Sequence, residues 1–594
     1  MRMLGKDRFR RRSTGIVSVS LLAVVAVAGA GLSCGRTPKL SPLEQYFSQL
    51  EYQPEQPSPT TDVGGTVAVF HPQARAIGMN VLSSGGNAYD AFVATVFAQY
   101  VLAEGGTSLA GPLGALVYDA PTQKTEYLDA DFNTPLAADG IWTEKDGLQS
   151  GKAVLAPSAV AGLEELARRG RLGFARLLEP AIELARDGFE LPNIYASILA
   201  WQQDLLRASS YGRRTFFKPD GTPLQAGDRL VQPELATFLT NLQRQGSAYM
   251  HEGEWGKQFL EVVREKGGRL SEADLRSYRP RWSEPWRTSY QGFEVVGASG
   301  RSYGGILPML ALKVVEPLAL SQQGHYSSSA PAMTVMMRTS REAYTAAWLF
   351  DCLAIVSKTP VCTLDSPNIV YRRLTEDSES IRRRVSAGTA AMAHAQTGSH
   401  SYHVIVVDRD GTVVSGTNTI ESNPWGTGWF VQGIPLTQGG VVQWGTRPGE
   451  RRVSPLSMHF LFKDGRLRFA LGAISNSLVE TSFQLIVNLV DYNLPIEEAV
   501  AKPRFGTFPL TEGASAADYT RNWLDPRIDQ SIVRALKSKS IDVLREGIVD
   551  TGLGAIVSIE SDVTDQQRGL VIRAVHTPIP YVVDPFGGTT ARTP

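Results

Sequence analysis

The stretch from Ala88 to Leu102 constrains the fold more than any other part of the chain. It has the length of a helix and is apolar nearly all round, so it reads as a helix buried on every side. Asn87 supplies its N-cap. Before it, Gly65 to Val69 reads as a short strand. His71-Pro72 then starts a helix carried by Ala74, Ile77, Val81 and Leu82, and Gly85-Gly86 stops it. After a glycine-rich turn at 104–108, Gly114 to Asp119 reads as a strand without alternation, which predicts burial on both faces. Helical stretches dominate from Ala159 to about Arg264, a strand is expected at Phe293 to Val296, and Arg338 to Arg384 reads as helix, loop, helix. The last third changes character. Tyr402 to Val407 and Thr412 to Ile420 read as strands joined by the turn Asp408-Arg409-Asp410-Gly411. Met458 to Phe462 and Leu467 to Leu471 form a second pair around Lys463-Asp464-Gly465, and a helix follows from about Glu480 to Tyr492. Strands between helical layers predict the α+β class.

The composition excludes several functions. Hydrophobic residues make up 43% and charged residues 20% of the 594, so a large core is affordable and wholesale disorder is excluded. Lys+Arg and Asp+Glu stand at 59 each, which leaves no cationic excess for nucleic acid. No metal-type Cys/His cluster and no P-loop is visible, so neither metal nor nucleotide cofactor is expected. Residues 1–34 read as a signal peptide: Arg2, Lys6, Arg8, Arg10, Arg11 and Arg12 precede the small, apolar run Ile16 to Gly31. An uncleaved N-terminal anchor is the alternative. Gly31-Leu32-Ser33-Cys34 is similar to a bacterial lipoprotein processing site with its Leu one place late, and a lipid on Cys34 would tether the protein without making it span a membrane. The expected address is therefore extracytoplasmic, periplasmic or membrane-anchored. Residues 35–63, rich in proline and polar side chains, read as a linker. Cys352 and Cys362 are equally compatible with a disulfide and with two buried thiols.

Several stretches resemble, in order, the γ-glutamyltranspeptidase family of N-terminal-nucleophile hydrolases. They are His71-Pro72, Gly85-Gly86-Asn87-Ala88 and Asp90-Ala91; Leu184-Ala185-Arg186-Asp187-Gly188-Phe189; Asp274-Leu275 with Tyr278; Gly292 to Val295; Gly304-Gly305-Ile306; Ser401-Tyr402-His403 through Val406 to Gly411 and on to Thr417-Asn418-Thr419-Ile420; and Pro503-Arg504-Phe505. The resemblance implies a four-layer αββα sandwich made as one polypeptide. It implies self-cleavage between His400 and Ser401 into a region of residues 64–400 and one of residues 401–594, which stay together as a heterodimer. Ser401 takes the place of the family's nucleophilic Thr, with His403 and Asp408 in register. The freed α-amine of Ser401 would be its base, since an α-amine with a pKa of about 7.7–8.0 suits that work near neutral pH. Thr419 falls at the position whose hydroxyl holds the nucleophile, and Ser475-Asn476 at the backbone pair that forms the oxyanion hole.

The chain departs from the family at the substrate clamp. The Arg that holds a glutamyl α-carboxylate is matched by Asp131, an Asn two places after the Thr by Glu421, and the family's Ser-Ser pair by Ser454-Pro455. The run Thr437 to Val442 lacks the Asp that binds the α-amino group. On these grounds Asp131, Glu421 and Ser454 are candidate substrate-binding residues, and the two carboxylates favour a cationic or polar neutral acyl group. The expected activity is that of an amidohydrolase or acyltransferase with altered acyl specificity, acting on a small-molecule amide or peptide. The alternatives are a true γ-glutamyltransferase or glutathione hydrolase, and a non-catalytic binding or structural homologue.

Overall fold

The computed structural model describes residues 60–63, 65–103, 105–349, 401–441, 447–475, 477–507, 522–541, 543–544, 553–561 and 570–576. The signal segment with Cys34, most of the linker, Cys352, Cys362, His400 and Asn476 lie outside the described residues.

Strands β1 (Thr60–Val63) and β2 (Gly65–Ala68) lead into helices α1 (Pro72–Ser83) and α2 (Ala88–Leu102). β3 (Leu113–Asp119) and β4 (Lys124–Ala130) form a hairpin. After the helices between Ala159 and Glu265 come β5 (Arg281–Ser283), β6 (Trp286–Tyr290), β7 (Phe293–Gly297), α3 (Tyr303–Val315) and α4 (Ala330–Leu349). The last third supplies β8 (Ser401–Asp408), β9 (Val413–Thr419), β10 (Ser457–Lys463), β11 (Arg466–Ile474), α5 (Leu478–Val490), β12 (Leu553–Ser561) and β13 (Leu570–His576). The linker expected to reach residue 63 therefore ends earlier, because Thr60–Val63 pairs with β13.

Two antiparallel sheets result. One runs β2-β8-β9-β3-β4-β5 and the other β1-β13-β12-β11-β10-β7-β6. Side chains alternate across a strand, so each sheet has two faces to cover. Tyr402, Val404 and Val406 of β8 face the helical side, in one core with α2. Ile405 and Val407 face the other way and meet Val296, Phe460, Ala470 and Val557 of the second sheet. The outer face of that second sheet packs on α3, α4 and α5 through Leu471, Met309, Met336 and Phe483. Helix, sheet, sheet and helix stack in that order, which is the αββα arrangement. The segments before and after Ser401 interleave in both sheets, so a cut there would leave the two pieces sharing each sheet.

All of α2 is buried, including Asp90. Asp90 and Asn87 cap the helix reciprocally, and Asp90 also accepts the backbone N–H groups of Arg171 at 2.8 Å and Leu172 at 3.1 Å. Asp408 does similar work at the other end of β8. Its Oδ2 accepts the Ala88 N–H, and its Oδ1 accepts those of Asp410 and Thr412, each at 3.0 Å. One carboxylate thus closes the β8–β9 turn and ties it to α2. Hydrogen bonds to charged groups contribute about 1.5–3 kcal/mol each where no water replaces them. Asp408→Ala is therefore expected to lower unfolding free energy by about 2–4 kcal/mol in a denaturant titration; a loss below about 1 kcal/mol would show that the turn holds without it.

Candidate active site

Ser401 opens β8, and its partner across the hairpin is Thr419, the last residue of β9. The Ser401 hydroxyl donates to Thr419 Oγ1 at 2.8 Å, in surroundings that leave Ser401 only 5% exposed. Thr419 Oγ1 also accepts the backbone N–H of Glu421 at 2.9 Å. Glu421 reaches that position by taking a left-handed conformation, φ +50°, which a side-chain-bearing residue adopts only when its surroundings enforce it. On the far side the backbone of Gly111 presses against Thr419: a Cβ there would lie 2.0 Å from the Thr419 carbonyl oxygen. Thr419 is therefore held from two sides and presents an acceptor to Ser401.

His403 shares the inter-sheet face of β8 with Ser401. Its ring does not serve the serine. Nδ1 bonds Thr417 Oγ1 at 2.7 Å and Nε2 bonds Ser415 Oγ at 2.9 Å. Burial without a carboxylate partner pushes its pKa down to about 3, so the ring is neutral. The ring therefore offers Ser401 no base.

β11 ends at Ile474, and Ser475 turns the chain toward α5 with φ +83°. The Ser477 N–H donates back to Ser475 Oγ at 3.4 Å, and the 13-residue helix that starts at Leu478 favours negative charge in front of its N-terminus. Tyr303 stands at the start of α3. Burial, then the charge of Glu421, push its pKa well up, with Glu480 and Asp131 adding to the rise and Arg452 opposing it, which marks a cluster of buried charge beside this tyrosine.

That cluster is built on Arg452, which is fully buried. Its Nε and Nη2 donate to Asp131 Oδ1 at 3.1 and 2.7 Å; its Nη1 donates to Glu421 Oε2 and, at 3.2 Å, to the Gly439 carbonyl. The guanidinium also lies 5.0 Å from the Phe132 ring centroid. Neighbouring Arg451 donates to the carbonyls of Asp131 and Arg279, pairs with Asp129 at 3.3 Å and lies over the Tyr278 ring. Asp131 and Glu421 share one guanidinium, so two full negative charges are not balanced there. Burial, opposed in part by Arg452 and reinforced by Asp131, raises Glu421 to about 7.

Asp131 and Glu421, expected as substrate-binding carboxylates that favour a cationic or polar neutral acyl group, each give one oxygen to the protein's own Arg452, while Asp131 Oδ2 and Glu421 Oε1 are buried with no hydrogen-bond partner among the described residues. Arg452 was outside the expected site. Its signal was an Arg-Arg pair two residues before Ser454, facing two acids left without a cation. Ser454 continues the same segment. Its N–H donates to the Arg301 carbonyl at 3.0 Å and its carbonyl accepts the Tyr303 N–H at 2.9 Å, which fixes the Arg452 segment to the start of α3.

Comparison with known proteins agrees with the topology and with the order of the motifs. The profile of the family described as Gamma-glutamyltranspeptidase matches residues 74–570. Acylase ACY 1 proenzyme of Pseudomonas sp. (strain V22) is 29% identical over 524 residues, covering 84% of this chain and 90% of that protein. Glutathione hydrolase proenzyme of Bacillus subtilis (strain 168) is 28% identical over 536 residues, with 84% and 88% covered. The crystal structure of a cephalosporin acylase from Bacillus halodurans shares the fold, with a TM-score of 0.72 at 20% identity over 88% of this chain and 96% of that one. A sandwich with a serine–threonine pair at the head of a central hairpin and a family match across most of its length leaves one assignment: the chain belongs to the γ-glutamyltranspeptidase family and is an enzyme of that hydrolytic class.

Proposed function

We propose that the chain is an exported, self-processing amidohydrolase or acyltransferase whose nucleophile is Ser401 and whose substrates carry an acyl group without a zwitterionic head. Processing starts when Ser401 Oγ attacks the carbonyl of residue 400. The peptide C–N bond breaks as a C–O ester bond forms, and the nitrogen leaves as the α-amine of Ser401. Water then hydrolyses the ester, giving a carboxylate on His400 and a free N-terminal Ser401. In turnover the α-amine takes the Ser401 proton as Oγ attacks the substrate amide. The Thr419 hydroxyl orients Oγ. Backbone N–H groups of the Ser475–Asn476 turn would hold the oxyanion, a contribution of about 3–4 kcal/mol per donor. The amine proton passes to the leaving nitrogen, and water or an acceptor amine removes the acyl group from the serine.

The specificity rests on the Arg452 triad. The resemblance puts the family's clamp for a glutamyl head at Asp131 and Glu421, and here those carboxylates hold Arg452 instead. A free zwitterion would have to displace a buried, doubly paired guanidinium. Similarity to an enzyme named as an acylase supports the same reading, and the word proenzyme in both relatives' names supports processing. The basic then apolar N-terminus supports export, with Cys34 as the residue that would carry a lipid.

The test compares p-nitroaniline release from γ-glutamyl-p-nitroanilide with release from anilides whose acyl group has neither ammonium nor carboxylate. Turnover confined to the neutral acyl series is expected. Preference for the γ-glutamyl compound would instead make the chain a glutathione-type hydrolase.

A further inference from the structure

We infer that His403 is a positioning residue: wedged between the two sheets, its ring sets the gap between the strand that opens with Ser401 and the strand that ends in the Ser475 turn. The inference rests on the roles proposed above for Ser401 and for that turn.

The inter-sheet face of β8 carries Ser401, His403, Ile405 and Val407 in succession, and its last two members are ordinary core residues. A histidine in such a layer needs partners for both ring nitrogens, and β9 supplies them. Thr417 sits directly opposite His403, and Ser415 opposite Ile405. A neutral imidazole has one donor and one acceptor nitrogen, so one hydroxyl accepts from the ring and the other donates to it. Either tautomer satisfies both hydroxyls, and the two bonds together fix the plane of the ring. A leucine or phenylalanine of similar bulk would fill space, but it would leave two buried hydroxyls unpaired and its own rotation unrestrained.

Across the gap the ring meets Gly472 of β11. A Cβ on Gly472 would lie 2.1 Å from both Cε1 and Nε2 of His403, so the imidazole rests directly on the backbone of the opposing strand. Ser401 is two residues from His403, and Ser475 is three residues from Gly472. A change in what fills that contact is passed along two short, stiff segments to the nucleophile and to the turn in front of it. Acyl transfer is sensitive to such displacement, since a misplacement of 1 Å costs about a hundredfold in rate.

Self-cleavage offers a readout that needs no external substrate. Conversion of the purified full chain into its two fragments is followed by intact mass in wild type, His403→Leu, Gly472→Ala, the double variant His403→Ala/Gly472→Ala, and Val404→Ala. The last removes core volume from the opposite face of the same strand and controls for lost stability. His403→Leu and Gly472→Ala are each expected to slow cleavage by about tenfold to a hundredfold. The double variant should recover most of the Gly472→Ala loss, because the new methyl takes space the ring has vacated. Val404→Ala should melt earlier yet cut at the wild-type rate. If His403→Leu does not fold, His403→Gln, which keeps a donor and an acceptor but not the flat ring, is expected to show the same slowing. Wild-type rates in the single variants, or a double variant that cuts no faster than Gly472→Ala, would overturn the inference while leaving Ser401 as the nucleophile. A wild type that stays uncut would remove the reading of Ser401 and this inference together.

Discussion

Arg452→Met is expected to lower the unfolding free energy by about 3–5 kcal/mol, the cost of leaving buried carboxylates without their cation. Asp131 and Glu421 would keep their places and lose the guanidinium that both now use. The loss should depend on pH in a definite sense. In the native chain Glu421 stands at about 7, against 4.5 without the fold. Its contribution to stability is whole below pH 4.5 and is lost as pH rises through 7. Removing Arg452 takes away the charge that opposes burial at Glu421 and raises that carboxyl further, so the damage should be smaller at pH 5 than at pH 8, where Glu421 must ionise or hold a costly proton. Neutralising all three positions together (Asp131→Asn, Glu421→Gln, Arg452→Met) should recover most of the loss, since the triad then holds no charge. Denaturant titrations at the two pH values measure this. A loss under about 1 kcal/mol, or an equal loss at both pH values, would show that the triad does not carry buried charge as described.

The largest effect on activity is expected from Ser401→Ala. The variant lacks the hydroxyl that donates to Thr419, so it should neither process nor turn over amides, with a fall of at least about 10⁴-fold. Ser401→Thr keeps both the hydroxyl and the future α-amine and should still process. His403 cannot stand in, because both of its ring nitrogens are occupied by Thr417 and Ser415. Residual activity of Ser401→Ala within tenfold of wild type would place the nucleophile elsewhere.

Local pattern and distant pairing were not equally legible. The buried helix α2, its Asn87 cap and the β8–β9 hairpin follow from short-range periodicity and turn chemistry, and they stand where the sequence puts them. Ser401 opposite Thr419 follows from the hairpin register once the turn at 408–411 is located. The Arg452 triad does not follow in this way. Arg452 and Asp131 are 321 positions apart, and an ion pair across that distance leaves no periodic trace. Charge accounting could have pointed to it, because two acids bound for a buried site required a cation. His403 was legible as a position in a motif but not as a spacer, since its contact with Gly472 exists only when the second sheet is in place. β12 and β13 complete that sheet, yet the expected strands stop at the β10–β11 pair.

The central claim is that this chain makes its own nucleophile at Ser401. Its most direct test is the intact mass of the purified chain lacking residues 1–34, measured beside Ser401→Ala. The account predicts two fragments in the wild type, the smaller beginning at Ser401 and containing 594 − 400 = 194 residues, and one uncut chain in the variant. A wild type that folds well and stays whole would contradict it and would leave a non-catalytic binding or structural role as the better description.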